Sequence, residues 1–385
     1  MFNNRIKWKA LPVKTFLNVF MTTLDLAAFG PSVTLESVTR RSFSRAALPA
    51  LLIPAKGAPA TPVTGVGEHT YEVFHDFLQL PDRLRFGNTH GVVVDAQGRI
   101  IVCHTVHKTS ESADAIAIFD PRGKFIKSWG AEMRGGAHGL TIRREGNEEF
   151  LYHCDNVKGY VRKTTLDGEV VWVLHAPMMS GLYGQASEYR PGNLAIAPNG
   201  DFYVADGYGK FYIHHYDAKT RYVGSFGGTR ALMDRNKDVE TGPGTTIWPH
   251  AIAVDTRGAQ PLLVIGERGA NSRLQYFTLD GKPLHTVKDG VRWPSTFDFR
   301  QGVMLMPDLK AVVSLFDRSN RLITHLGDGR QPDGKTYEGL RNRERTAFTA
   351  GQFICPHGAC FDARGNILVA EWVEVGRVSL LRRVN

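Results

Sequence analysis

Cysteines are few in this chain of 385 residues, and their spacing is not that of metal ligands. No two of the four form a Cys-x-x-Cys motif, which excludes a zinc-thiolate knuckle. We expect buried free thiols, while a bond between the first two stays open because spacing alone does not define disulfide geometry. The four are Cys103, Cys154, Cys355 and Cys360.

Long apolar runs and complete calcium loops are also missing. No run reaches the roughly 18 residues that a transmembrane helix needs, so the sequence predicts no membrane span. Residues 234–245 begin like an EF-hand loop, but Val239 and Thr245 occupy the positions that require glycine and an acid. This excludes an EF-hand and indicates a solvated polar insert.

Positive charge is concentrated near the N-terminus. The formal net charge is +9, and residues 1–60 contain eight Lys or Arg and two acidic residues, a net +6, which leaves +3 for the remainder. The high pI is therefore a property of the first residues, and we expect no nucleic-acid partner. The length itself fits two domains or one large all-β domain.

The N-terminal region carries the parts of a twin-arginine export signal in order. Arg40 and Arg41 precede a short apolar run at 46–54, and small residues ending at Ala60 follow it. We expect residues 1–38 to be an extension of unknown role, 39–60 to be a cleaved signal, and 61–385 to be the mature periplasmic or extracellular protein. The alternative interpretation of the paired arginines is a basic surface loop.

Six copies of one unit follow residue 85. Each contains short β-branched or aromatic strands joined by tight turns, and a fourth strand follows all but the last. Residues 70–74 have strand composition and can supply that missing strand. Regular four-stranded units are typical of a β-propeller, whereas a β-sandwich would not give six copies in phase. We therefore predict an all-β, six-bladed β-propeller closed by an N-terminal strand, with the inserts at 176–190, 229–247 and 328–353 on one face.

The residues that open the first strands share one phase and should line the central channel. In blade order they are His90, His138, Gly192, His250, Ser295 and His357. Alternate blades thus contribute three imidazoles, and three nitrogen ligands with an open fourth position suit a catalytic zinc. We predict zinc at His138, His250 and His357, with His90 as a fourth ligand or a neighbour. The alternative is that each histidine only hydrogen-bonds the adjacent blade.

The chain resembles two known sequence patterns. The acidic residues that end the second strands are similar to those of NHL repeats over about residues 86–384; they are Asp155, Asp206, Glu267, Asp308 and Glu371. The stretches around His138, His250 and His357 resemble the peptidyl-hydroxyglycine lyase domain of peptide α-amidation. That resemblance implies a six-bladed propeller whose central zinc is held by these three histidines.

The same resemblance assigns two catalytic residues. The family's tyrosine lies in an Asp-Gly-Tyr turn, matched by Tyr208, and its arginine follows an acidic residue, matched by Arg268. The resemblance implies that zinc polarises a substrate hydroxyl, the tyrosine removes its proton and the arginine pairs with a carboxylate. The alternatives are a packed turn aromatic for Tyr208 and a salt-bridge partner for Arg268.

Two positions depart from the family pattern. Thr105 stands where a second arginine would follow a histidine, and Gly358 stands where an acid would serve a calcium site, so we do not expect calcium. We expect a monomeric, metal-dependent, lyase-like enzyme that acts on a small carboxylate or peptide-like ligand in the channel. The alternatives are a non-catalytic propeller that binds a polysaccharide, peptide or protein through its rim loops, and a purely structural module.

Overall fold

The computed structural model describes residues 60–228, 242–269, 272–330 and 339–384. The predicted extension at 1–38, the predicted signal at 39–60 except for Ala60, and most of the EF-hand-like stretch lie outside the described residues. Helix is limited there to four 3-10 turns of three residues each: Ala131–Met133, Met178–Ser180, Ala186–Glu188 and Arg345–Ala347. None of the described helices has the length and apolar character to cross a membrane.

The strands form six antiparallel sheets, numbered as blades in chain order. An N-terminal hairpin consists of β1 (Val63–Val66) and β2 (His69–Phe74). Blade 1 contains β3 (Thr89–Val94), β4 (Ile100–His104), β5 (Ile116–Phe119) and β6 (Phe125–Trp129). Blade 2 contains β7 (Ala137–Glu145), β8 (Glu148–Asp155), β9 (Tyr160–Thr165) and β10 (Val170–Leu174). Blade 3 contains β11 (Asn193–Ile196), β12 (Phe202–Ala205), β13 (Tyr212–Tyr216) and β14 (Tyr222–Gly227).

The remaining blades repeat this arrangement. Blade 4 contains β15 (Pro249–Asp255), β16 (Leu262–Glu267), β17 (Arg273–Phe277) and β18 (Pro283–Val287). Blade 5 contains β19 (Asp298–Arg300), β20 (Val303–Asp308), β21 (Val312–Phe316) and β22 (Leu322–Leu326). Blade 6 contains β23 (Pro356–Phe361), β24 (Ile367–Glu371) and β25 (Arg377–Arg383). The all-β, six-bladed prediction is confirmed.

The N-terminal hairpin closes the ring, as predicted. β2 pairs antiparallel with β25, with Phe74 opposite Leu380 and Tyr71 opposite Arg383. β1 then pairs with β2, so blade 6 has five strands in the order β1-β2-β25-β24-β23. β1 was not predicted from the sequence, because its Val-Thr-Gly-Val segment is short and contains a glycine, which adopts a positive φ. This extra strand covers the edge that β2 would otherwise expose.

The core lies between neighbouring blades. Val93 and Ile101 of blade 1, for example, pack with Leu140 and Leu151 of blade 2. Burial decreases outwards within a blade: β17 is buried throughout, whereas β18 at the periphery is mostly exposed. Middle strands therefore need apolar residues on both faces, which explains their near-continuous apolar sequences. All four cysteines are buried free thiols, so the disulfide between Cys103 and Cys154 that the sequence left undecided is not formed.

The start of each first strand and the end of each second strand meet at one end of the channel. Pro249 pairs with Glu267, Ala137 with Asp155 and Pro356 with Glu371. Because strands within a blade alternate in direction, each fourth strand also ends on this face, where the long inserts leave it. The histidines at the first strands and the residues after the second strands therefore share one channel mouth.

Candidate metal centre in the central channel

A β-bulge turns each of the four histidines into the channel. The pairing register of the first and second strands shifts across His90, His138, His250 and His357. A bulge adds an unpaired residue and redirects its side chain, so the imidazole leaves the plane of the sheet and points toward the axis. The first strand of blade 3, which has no histidine, pairs with the second strand without a shift.

The four imidazoles form one buried cluster. Ring centroids lie 4.6 Å apart for His90 and His138, 4.5 Å for His90 and His357, and 4.8 Å for His138 and His357. The His250 ring lies 5.0 Å from His138 and 4.8 Å from His357. His90, His138 and His357 present ligand nitrogens that all lie within 4.8 Å of one another and can bind a metal ion. The structure thus brings the four predicted histidine rings together, but the three with nitrogens grouped closely enough to share an ion are His90, His138 and His357, with His250 of the predicted set outside this group.

Hydrogen bonds to the next blade fix three of the tautomers. The Nδ1–H of His138 donates to Gly192 O at 2.7 Å, and that of His250 donates to Ser295 O at 2.9 Å. His357 Nδ1–H donates to His90 O at 2.8 Å. A carbonyl can only accept, so each Nδ1 carries the proton and each Nε2 keeps its lone pair. A carbonyl that fixes a metal-ligating histidine in this way is a common feature of metal sites.

The acceptor carbonyls belong to the ring positions of the intervening blades. Gly192 and Ser295 were identified in the sequence only as gaps in the histidine series, yet their backbone oxygens orient two of the imidazoles. Nothing in their side chains signals this role. The regular spacing of the repeats was the only clue, because it places each of them beside the preceding histidine.

Tyr208 lies between two of these nitrogens. Its hydroxyl oxygen is 3.0 Å from His138 Nε2 and 3.0 Å from His250 Nε2. One hydroxyl proton cannot satisfy both lone pairs. The Nε2 atoms of His138 and His250 are therefore one proton short, which is the condition that a bound cation relieves. These donor atoms fit a divalent metal ion.

The turn that carries Tyr208 is held by its neighbours. Asp206 accepts hydrogen bonds from the backbone N–H of Arg190 at 2.7 Å and of Lys210 at 2.6 Å. A Cβ on Gly207 would lie 2.4 Å from Pro249 O, so only glycine allows this close approach to the next blade. The Asp-Gly-Tyr sequence thus brings the phenol to the channel axis. Burial raises the pKa of Asp206 to about 6.

His90 differs from the other three histidines. Its Nδ1 lies 3.4 Å from His357 Nε2, and its backbone oxygen accepts the proton of His357 Nδ1. Because His357 Nε2 has only a lone pair to offer, the His90 ring must be the donor in this contact. A metal ion bound to His357 Nε2 would break this hydrogen bond, because it would use the lone pair that accepts the His90 proton.

Arg268 is buried beside the cluster. Its Nε donates to Pro294 O at 3.0 Å and its Nη2 donates to Ser295 Oγ at 2.7 Å. Burial lowers the pKa of all four channel histidines, that of His138 to about 3, and the Arg268 charge acts in the same direction on each. The histidines are therefore neutral near pH 7, as metal ligands must be.

Glycine follows three of the four histidines because the next blade approaches closely. A Cβ on Gly139 would lie 2.6 Å from Gly192 O, and one on Gly358 would lie 2.6 Å from His90 O. These are the same carbonyls that accept the imidazole protons. Position 358 therefore has no room for the acidic side chain that the resemblance would place there.

The fold and the cluster define the chain as a six-bladed β-propeller with a buried histidine centre. It is a distant homologue of a probable peptidyl-α-hydroxyglycine α-amidating lyase of Caenorhabditis elegans, 23% identical over 315 residues, which cover 77% of this chain and 83% of that protein. No family model matches the chain.

Solved structures show the same fold at low sequence identity. A gluconolactonase from Xanthomonas campestris superposes with a TM-score of 0.53 at 11% identity, over 84% of this chain and 98% of that one. Virginiamycin B lyase from Staphylococcus aureus gives a TM-score of 0.50 at 12% identity, over 82% and 100%. At this level of identity, these two structures show similarity in the propeller fold alone.

Proposed function

We propose that this protein is a metal-dependent lyase that acts on a small carboxylate or peptide-like substrate at the channel mouth. The observation that carries the proposal is the group of three inward Nε2 lone pairs, each fixed by an Nδ1 hydrogen bond, with the Tyr208 hydroxyl between two of them. A site that only stabilised the fold would have no need for nitrogen acceptors that outnumber the available protons.

We assign the metal ligands as His138, His250 and His357. These three share one environment, because each gives its Nδ1 proton to the carbonyl of the next blade. His90 does not follow this pattern, although its ligand nitrogen, rather than that of His250, is grouped with those of His138 and His357 within 4.8 Å in the described residues. The grouped ligand atoms are all imidazole nitrogens, with no carboxylate among them in the described residues, and such a set favours zinc over calcium or magnesium.

The chain's own residues suit the removal of a proton from a substrate hydroxyl. A divalent ion in this site supplies a Lewis acid that polarises an oxygen ligand. Once its own phenol proton has left to solvent, the Tyr208 oxygen would take up the substrate hydroxyl proton as a phenolate, from a position 3.0 Å from His138 Nε2 and 3.0 Å from His250 Nε2. Arg268, held by Pro294 and Ser295, supplies positive charge for the substrate carboxylate.

The name of the nematode relative suggests the substrate class. An N-acyl-α-hydroxyglycine contains both the hydroxyl and the carboxylate that such a site can bind. Cleavage of its C–N bond gives an amide and glyoxylate: the hydroxyl proton leaves to the base, the C–O bond becomes a carbonyl, and the departing nitrogen takes up a proton. The reaction needs no oxidant, reductant or further reactant.

Metal content and glyoxylate release test this function together. Wild-type protein supplied with zinc should hold about one ion per chain, and His138→Ala, His250→Ala and His357→Ala should each lose it. His175→Ala changes an exposed histidine outside the channel and serves as the control. Tyr208→Phe should keep the ion but release glyoxylate from N-benzoyl-α-hydroxyglycine about 10²-fold to 10⁴-fold more slowly. Wild-type protein that holds no metal after zinc supplementation would refute the assignment.

We also propose that the protein is exported by the twin-arginine route and acts outside the cytoplasm. The support comes from the sequence alone, in Arg40, Arg41 and the short apolar run that follows. Because this route carries folded proteins, the four free thiols do not conflict with export.

A further inference from the structure

A second arginine lies at the channel mouth on a different element from Arg268. Arg341 belongs to the insert between blades 5 and 6, and its guanidinium carbon lies 3.4 Å from the centre of the Trp372 ring. Its Nη2 donates to Asn88 Oδ1 at 2.9 Å and its Nη1 donates to Asn342 Oδ1 at 2.9 Å. Stacking on an aromatic face and a fixed hydrogen bond hold the planar group in one orientation.

The two contacts place Arg341 at the junction of blades 6 and 1. Trp372 directly follows Glu371, the last residue of β24, just as Arg268 directly follows Glu267, the last residue of β16. Asn88 lies two residues before His90 and is tied to the end of β4 through Thr105. The insert is itself anchored, because Leu340 and Phe348 pack against the apolar cluster around Leu309 and Ile354.

Electrostatics are consistent with this position. The charge of Arg341 is among those that lower the pKa of His90, after burial and the His138 charge. Both Arg341 and Arg268 also act on the thiol of Cys355, whose pKa burial raises. Cys355 lies two residues before His357, so both guanidinium groups are close to the start of β23.

The Arg341 charge lacks a matching anion within the described residues. Its two acceptors are neutral amide oxygens, and its Nε is buried without a hydrogen-bond partner. It forms none of the ion pairs found in the described ranges. Glu374, whose backbone N–H donates to Arg341 O at 3.1 Å and whose charge acts to raise the Arg341 pKa, pairs its carboxylate with Lys108. A half-buried guanidinium with this partner set is suited to bind a carboxylate from outside the chain.

We propose that Arg341 binds the carboxylate of the ligand in the channel mouth and selects acidic ligands over neutral ones. This inference rests on the proposed function in that it requires a ligand at this mouth, but it does not require that the ligand react. If Arg341 were only a brace between the insert and blade 1, its removal would lower the melting temperature and leave ligand selection unchanged.

The experiment compares an acid with its neutral amide. N-benzoylglycine and N-benzoylglycinamide are titrated calorimetrically into the zinc-supplemented mature chain, and metal content is measured in the same samples. Wild-type protein should bind the acid at least about tenfold more tightly than the amide, since a charge-assisted hydrogen bond is lost with the amide. Arg341→Gln should lower this ratio several-fold, to what Arg268 alone provides, and Arg341→Lys should restore part of the loss. Arg343→Gln, an exposed change in the same insert, should retain the wild-type ratio.

The outcomes separate this inference from the proposed function. An acid preference that is undiminished in Arg341→Gln overturns the role of Arg341, and so does a wild-type protein that binds neither probe or binds both equally. A reduced preference with unchanged metal content supports it. Absence of metal from the wild type counts against the metal centre alone, because the ratio of the two affinities is measured independently of the ion.

Discussion

Lowering the pH from about 7.5 to about 5 is expected to destabilise the fold through buried histidines that lie outside the channel cluster. Burial lowers the pKa of His104, His153 and His214 to about 3. In the unfolded chain these groups titrate near their ordinary value of 6.5. The unfolded state therefore binds more protons below this pH, so the stability is complete above pH 6.5 and is lost as the pH falls.

The size of the effect follows from these pKa values. At about pH 5 each of these histidines, neutral in the fold but protonated in the unfolded chain, lowers the free energy of unfolding by about 2 kcal/mol, or about 6 kcal/mol for the three. Asp206 and Asp298 have the opposite effect, because burial raises their pKa to about 6. Their protonation between about pH 7.5 and about pH 5 stabilises the folded state by about 3 kcal/mol for the two together. The net loss from these five groups is about 3 kcal/mol, a large part of the stability of a typical domain. His75, whose pKa burial lowers to about 4, and the metal-free channel histidines add to it.

Urea unfolding followed by circular dichroism at several pH values measures this loss. His153→Gln should reduce the pH dependence by about 2 kcal/mol over this range, because it removes one titrating group whose Nε2 contacts only Thr164 and whose Nδ1 is buried without a partner. His175→Gln, at an exposed position, should leave the wild-type pH dependence unchanged. If His153→Gln unfolds with the same pH dependence as the wild type, then His153 does not stay neutral in the folded state and the reasoning is wrong.

Three further predictions concern packing, ring closure and export. Gly358→Ala should lower the free energy of unfolding in urea by about 1–3 kcal/mol, because its Cβ would lie 2.6 Å from His90 O. Gly224→Ala is the control and should cost less, because a Cβ there meets nothing within 4 Å. Equal costs for the two variants would contradict this packing. Deletion of residues 61–76 removes β1 and β2 and exposes the edge of β25, so light scattering should detect aggregation; a monomer with unchanged melting temperature would contradict closure. Replacing both Arg40 and Arg41 with lysine should leave precursor in the cytoplasm in a cell-fractionation assay, and normal export of this variant would exclude the twin-arginine route.

The fold was predictable because its signal is repeated. Each blade alone is a set of short apolar strands, but six copies at one phase determine both the class of fold and the residues that face the channel. The strand at residues 70–74 could be assigned because the last repeat lacked a fourth strand, and β2 fills that place. No repeat contains a counterpart of β1, so nothing in the sequence pointed to the fifth strand of blade 6.

The candidate site was predictable in its residue types but not in its connections. The phase of the repeats identified His90, His138, His250 and His357, and the structure places them together. The bulges that turn these side chains inward leave no sequence signature of their own. Arg341 was missed for a different reason: the inserts do not repeat, so phase gives no information about which of their side chains reach the mouth.

The ring of six blades explains how three equivalent histidines arise from one repeated unit. In each of blades 2, 4 and 6 the ring residue gives an imidazole, and in each of blades 3, 5 and 1 the ring residue gives the carbonyl that orients it. A backbone carbonyl is independent of the side chain, so the three acceptor positions are free to carry Gly192, Ser295 or His90 without loss of the site. On the proposed assignment His90 is an addition to the three ligands, and its side chain, unlike its carbonyl, is not needed to orient His357. This distinction predicts that His90→Ala keeps the bound ion in the metal assay while His357→Ala loses it, and loss of the ion in both variants would show that the centre uses four imidazoles.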